Sequence, residues 1–198
     1  PHPKIPRNRL VFFSFSVYDT YRKSRNGAGF TPPPRKEATP MRGMRNIRRK
    51  TSYDKAREIL MQADYGILST TCGDGLPYGI PLCFALSGNS IYFHCATEGQ
   101  KLDNLVHDSR VCLTAVLHAE NRPARLTMTY ESAMAFGTAR IVYAEDERHA
   151  ALRLLCAKYS PDMSEEALAA YFKKHIANTT VVRMEVEYIS GKSNRPGK

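Results

Sequence analysis

The sequence predicts a mainly β domain with peripheral helices, built as a small antiparallel barrel of six strands. Three observations carry that expectation. Segments rich in β-branched and aromatic residues recur between residues 66 and 141 and again at 179–190, hairpin turn residues punctuate the first of them, and helical periodicity is confined to four short segments. An open sheet of this size would have to protect two edges, and closure into a barrel removes them.

The first element is a helix in "TSYDKAREILMQAD", with Thr51 as the candidate N-cap, Asp54 three residues on, and Tyr53, Ala56, Ile59, Leu60 and Ala63 at helical spacing. Three strands follow, at 66–71, 78–86 and 90–96, with Asp74-Gly75 and Ser87-Gly88-Asn89 between them at hairpin positions. "EGQKLDNLVHD" reads as a short helix with its first turn at Glu98 to Lys101 and with Leu102, Leu105 and Val106 on one face. "RVCLTAVLHA" is a fourth strand. "LTMTYESAMAFGTARIVYA" is a fifth, and Gly137 within it predicts a bulge or bend. Two amphipathic helices come next, in "DERHAALRLLCAKYSP" and in "SEEALAAYFKKHIA", the second capped by Ser164. "TTVVRMEVEYIS" closes the fold as the sixth strand, with Val182, Met184, Val186 and Tyr188 alternating.

The formal charge of +10 is confined to the start of the chain. Residues 1–50 hold thirteen Lys/Arg against Asp19 and Glu37, a net +11, which leaves 51–198 at −1. A fold that reads duplex nucleic acid concentrates Lys/Arg on a structured face, so the domain is expected to have neither a nucleic-acid nor a membrane partner. Residues 1–47 read as a basic, Pro/Gly-rich, flexible N-terminal extension ahead of a domain over 48–198, and only this tail stays a candidate for anionic partners. Its apolar run "RLVFFSFSVY" is too short to span a bilayer, and no small-residue cleavage pattern follows it. Five cysteines, an odd number without a C-x-x-C pair, argue against a disulfide framework and predict reduced thiols in the cytoplasm.

"IYFHCATEGQK", residues 91–101, gathers an imidazole, a thiol, a carboxylate and an ammonium. Neighbours in a strand point to opposite faces, so His94 and Cys95 cannot turn to one ion, and no metal site is expected. Cys95 reads as a small buried hydrophobe, and His94, taken alone, as a core histidine bonded to backbone. At the end of this stretch a glycine leads into a helix whose first turn carries Gln100 and Lys101. Two readings stand level there: a phosphate held by free N–H groups and the lysine, or a capped helix with a solvated lysine. No Walker or Rossmann glycine pattern is present.

From Arg48 to Lys192 the chain resembles the pyridoxamine 5'-phosphate oxidase-like, FMN-binding split-barrel superfamily, and is most like its nitroimidazole-resistance (Nim) branch. "MRNIRRK", "YGILSTTCGDGLPYGIPLCFAL", "IYFHCATEGQKLDNLVHDSRVCLTAV", "YESAMAFGTARIV", "KYSPD" and "ISGKSN" carry the resemblance in that order. It implies a six-stranded Greek-key split barrel and a homodimer with FMN at the interface. It also implies an oxidoreductase that takes electrons from a donor such as NAD(P)H and passes them to a small-molecule acceptor such as a nitroaromatic. Carried over, Ser69 and Thr70 line the flavin site, Pro81 and Leu82 offer backbone to the ring, His94 and Ala96 lie beside it, and Gln100 with Lys101 hold the phosphate. His94 is the implied catalytic group. Relatives carry His or Arg where Gln100 stands, so this chain keeps a donor and loses a charge. The substrate-binding arginines and histidine of the true oxidases have no counterpart in "SGKSNRPGK". The alternatives are a split barrel that binds haem or another cofactor, and a non-catalytic flavin-binding stress-response protein.

Overall fold

The computed structural model describes residues 42–195, so the extension expected over 1–47 lies outside the described residues as far as residue 41. The chain divides between Gly43 and Met44, and the unit that begins at Met44 carries the elements that follow. Seven strands, rather than six, make one antiparallel sheet: β1 (Gly66–Thr71), β2 (Pro77–Leu82), β3 (Ala85–Ser87), β4 (Ser90–Cys95), β5 (Arg110–Arg122), β6 (Thr127–Ile141) and β7 (Thr180–Ser193). They are hydrogen-bonded in the order β2-β1-β5-β6-β7-β4-β3. The strand expected at 78–86 breaks at Cys83 and Phe84 into β2 and β3, which are the two opposite edges of the sheet. A link this short can join the two edges only if the sheet curls until they meet. The barrel is therefore closed in outline and split along the β2/β3 seam, and its edges are brought together rather than abolished.

Phe84 sits in the seam with no exposed surface. Its N–H donates to Tyr159 Oη at 2.9 Å, and the Tyr159 hydroxyl donates back to Phe84 O at 2.8 Å. Lys158 Nζ also donates to Phe84 O at 3.0 Å and lies 4.4 Å from the centre of the Phe84 ring. Burial pushes the Lys158 pKa down, against the opposing influence of Asp64 and Cys83, and pushes the Tyr159 pKa up.

Four helices dress the barrel: α1 (Tyr53–Gln62), α2 (Gln100–His107), α3 (Glu145–Tyr159) and α4 (Glu165–His175). Ser52, rather than Thr51, caps α1, its Oγ accepting from the Lys55 N–H at 3.2 Å. Thr51 is drawn instead to the end of β7, where its N–H donates to Gly191 O at 3.1 Å. A Cβ at Gly191 would lie 2.0 Å from Thr51 Oγ1, so only glycine permits this approach. Glu131, buried on β6, reinforces the junction by pairing with Lys55 of α1 at 3.5 Å and with Arg195 beyond β7 at 3.3 Å. Ser164 caps α4 as the sequence predicts, accepting from the Ala167 N–H at 3.2 Å.

The barrel interior holds Leu68, Phe93, Leu113, Ala135 and Met184, which share one buried cluster with Ile59 and Leu60 of α1. Each buried Leu, Ile, Phe or Met contributes about 1.5–3 kcal/mol. A second cluster, with Val181 of β7, Leu152 and Leu155 of α3 and Phe172 of α4, binds the later helices to the outside of the sheet. The remaining outer face is left open. Register places Pro81, Ile67, Thr114, Met134 and Ser190 in one row across it, and Gly79, Ser69, Cys112, Phe136 and Tyr188 in the next. Ile67, Met134, Val116 and Tyr188 are 37–51% exposed on this face.

The bulge predicted at Gly137 is present: the β6/β7 register shifts between Phe136 and Gly137, which leaves Glu187 unpaired. The alternation expected through Tyr188 stops there, so Tyr188 turns outward and Ile189 enters the core in its place. A Cβ at Gly137 would stand 1.8 Å from the Glu185 carbonyl oxygen. Gly137→Ala is therefore expected to cost more than about 2 kcal/mol in urea denaturation; an unchanged midpoint would contradict this account of the bend.

Candidate functional site

The residues singled out by sequence fall into two groups about the seam. Gln100, Lys101 and Thr70 gather at the start of α2. Gly99 is its N-cap, with φ 130°, and a Cβ there would meet nothing within 4 Å. The Leu102 and Asp103 N–H groups return to Gly99 O, whereas those of Gln100 and Lys101 take no backbone acceptor. These two donors stand at the positive end of the helix, and Lys101, in the same turn, has no ion-pair partner among the described residues. The free N–H pair, the lysine and the glycine approach fit a phosphate group.

Gln100 is held by a residue that the sequence reading missed. Its Nε2 donates to Asn104 Oδ1 at 2.8 Å and stands 3.9 Å from Cys72 Sγ. Asn104 Nδ2 donates in turn to Thr70 Oγ1 at 2.8 Å, and the Thr70 hydroxyl reaches the Tyr78 carbonyl at 3.4 Å. Asn104 is 1% exposed and Thr70 4%. This relay fastens the first turn of α2 to the β1/β2 hairpin, and it gives Thr70 an inward, structural position. The signal for Asn104 was its place four residues beyond Gln100, the spacing at which helical side chains meet.

The other residues lie on or beside the seam. Ser69 points to the open outer face, paired with Gly79 on β2 and Cys112 on β5. Pro81 shares that face, opposite Ile67, while the Leu82 side chain turns inward against the core. β2 pairs only with β1, so its far side carries backbone groups with no strand partner among the described residues. His94 lies on the outer face of β4, the strand next to the other edge, so the seam stands between His94 and Ser69. Ala96 follows β4 directly and is exposed.

His94 is exposed rather than a core histidine and has no hydrogen-bond partner among the described residues. Burial of part of its ring by the strand pushes its pKa down, so it is neutral at pH 7. Cys95, on the opposite face, is half-buried; burial pushes its thiol pKa up, against the nearby Lys101 charge. Strand alternation thus separates the two as the sequence predicts. Among the described residues no group of three or more His, Cys, Asp or Glu side chains could hold a metal ion, and no helix is long and apolar enough to cross a membrane.

Residues 52–193 match the family described as pyridoxamine 5'-phosphate oxidase. The chain is similar to a candidate 5-nitroimidazole antibiotic resistance protein from Bacteroides thetaiotaomicron, with 26% identity, 72% of this chain and 84% of that one covered, and a TM-score of 0.61. It shares its fold with a conserved hypothetical protein from Mycobacterium tuberculosis, at 18% identity, 79% and 96% coverage and a TM-score of 0.67. The same holds for an FAD- and haem-binding protein from Mycobacterium smegmatis, at 18% identity, 76% coverage of each chain and a TM-score of 0.59. No curated protein matches the chain.

The lowered pKa of His94 couples its protonation to folding. The unfolded chain binds a proton near pH 6.5 where the folded one does not, so stability falls as pH drops through 6.5 and levels off below the folded value. An NMR titration of His94 should give a midpoint below 6.5; a midpoint above it would contradict a desolvated ring.

Proposed function

Because the chain belongs to the pyridoxamine 5'-phosphate oxidase family across residues 52–193, we propose that it is a flavin-dependent oxidoreductase. In this reading it works as a homodimer, takes electrons from NAD(P)H and passes them to a small-molecule acceptor of the nitroaromatic kind. The observation that carries the reading is the donor set at the start of α2: two N–H groups and a Lys101 ammonium, behind a glycine, that have no partner among the described residues. That set suits the phosphate of FMN, the flavin implied by the resemblance, or of FAD.

A bound flavin supplies the redox chemistry, and the protein supplies position and electrostatics. Lys101 and the α2 N–H groups anchor the phosphate. The unpaired backbone edge of β2 around Pro81 and Leu82 offers hydrogen bonds to a ring lying along the seam, and Ser69 adds a hydroxyl from the outer face. His94, neutral at pH 7, presents an N–H that can polarise an acceptor. The likeness to the Bacteroides protein supports an acceptor with a nitro group. The open apolar face around Ile67, Met134 and Tyr188 is continuous with Ser69 and Pro81, and a second copy of the chain laid over it would cover the flavin. All five cysteines are free, which suits the reducing cytoplasm.

Purified protein should be yellow and release a flavin phosphate on denaturation, and NAD(P)H with a nitroimidazole should give turnover. A Soret band without flavin would overturn the reading. His94→Ala should retain flavin and lose at least about tenfold in turnover, the low end of what a positioned proton donor supplies; full activity would remove His94 from the mechanism. Met134→Glu, which puts a charge on the apolar face that the second copy would cover, should halve the mass seen in light scattering and weaken flavin binding; an unchanged dimer would place the interface elsewhere.

A further inference from the structure

We infer that one end of the barrel, made by the β5/β6 turn, the close of β7 and the single turn Ile47–Arg49, is a docking surface for an anionic lipid bilayer. Counted along the chain, Arg45, Arg48, Arg49 and Lys50 belong to the basic first fifty residues. The fold joins them to the barrel instead. Lys50 bridges to Lys192 in the antiparallel sense, so the turn before it lies at the end of β7 where Asn194 and Arg195 follow. The Asn194 N–H donates to Tyr130 O at 2.9 Å and its amide to Thr127 Oγ1 at 3.4 Å, which seats this end of β7 beside the β5/β6 turn.

Positive charge is left over there. Arg45, Arg48, Arg49, Lys50, Arg125 and Lys192 form no ion pair among the described residues, and five of the six lie outside the strands' buried rows as exposed or half-buried loop and turn positions. The carboxylates of this end are already engaged. Glu120 meets Arg122 at 2.8 Å, Glu58 meets Lys55 at 3.1 Å, and buried Glu131 is shared by Lys55 and Arg195, with His118 Nε2 at 3.8 Å. Asp54, in the first turn of α1, adds one further carboxylate.

Cations alone would suit any polyanion; the apolar side chains set among them select a bilayer. Leu126 is 97% exposed, and Ile47 and Met128 are exposed beside arginines. Leu126 ends the Pro123–Arg125 turn with φ 48° and ψ 42°, its N–H donating to Pro123 O at 3.0 Å. Leucine rarely adopts this left-handed conformation, so the tip holds a strained backbone and an aliphatic side chain in water at once. A nucleic-acid backbone uses the cations and gains nothing from the leucine, whereas a bilayer takes cations at its headgroups and leucine among its acyl chains. Such docking is peripheral, since no helix among the described residues is long and apolar enough to cross a membrane. Arg122 lies ten residues along β5 from Cys112, the partner of Ser69, roughly 30 Å at the rise of a strand, so a docked barrel keeps its seam clear of the lipid.

Full-length protein sedimented with vesicles of phosphatidylcholine, with or without an equal part of phosphatidylglycerol, tests the inference independently of any flavin. The protein should bind the acidic vesicles, ignore the neutral ones, and be released between about 0.1 and about 0.5 M salt. Each cation near an anionic surface adds roughly fivefold to partitioning, so Arg48→Gln with Arg49→Gln should lower it at least about tenfold. Leu126→Asn, whose side chain tolerates the left-handed turn, should also lower it about tenfold. Both variants change exposed positions, and an undiminished thermal midpoint shows that they fold. No binding to acidic vesicles at the lower salt would overturn the inference. Full binding by the arginine variant would overturn it by placing the contact ahead of Met44. Full binding by Leu126→Asn would overturn the bilayer in favour of a plain polyanion such as single-stranded RNA.

Discussion

The link between β2 and β3 is the constraint from which the rest of the molecule follows. Two strands that are neighbours in the chain lie at opposite ends of the sheet order, so the sheet cannot exist flat. Phe84 fills the gap with its ring, and Tyr159 satisfies both of its backbone groups from α3. In a closed barrel those groups would meet a neighbouring strand. Here a side chain takes that place, and the edges of β2 and β3 stay open on either side of it. A seam of this kind leaves backbone donors and acceptors at the surface of an otherwise satisfied barrel, and that is where the candidate site lies.

Much of this was legible from local periodicity. The alternation at Ile91 to Cys95, the bend at Gly137 and the cap at Ser164 each depend on neighbours within a few residues, and each stands where the sequence places it. The break at Cys83 and Phe84 was not legible, because β-forming residues run through it and its cause lies 75 residues away at Tyr159. Thr51 and Ser52 are equally able to cap a helix; the choice between them is made by Gly191, at the far end of the chain. The site was half legible. Lys101 and the helix start are local features, whereas the inward position of Thr70 depends on its bond to Asn104.

Asn104 also shows how a neutral group can be tuned without a charge. A buried amide that spends both donor and acceptor on named partners cannot rotate, and the residue it holds inherits that fixity. The first turn of α2 therefore has an orientation set in advance from the β1/β2 hairpin, and under the proposed reading the cost of orienting it for a phosphate would be met during folding rather than on binding.

The close approach at Gly191 has a consequence for the architecture as a whole. Lys50 forms a bridge with Lys192, and Thr51 bonds to Gly191, so the start and finish of the domain lie side by side. The fold is in this sense a ring whose opening point is arbitrary. Joining the two ends by a short linker and cutting instead at the exposed Pro123–Arg125 turn between β5 and β6 would preserve every strand pairing and the seam. A circularly permuted barrel of this kind would carry its new ends at the β5/β6 turn, where a reporter domain could be attached.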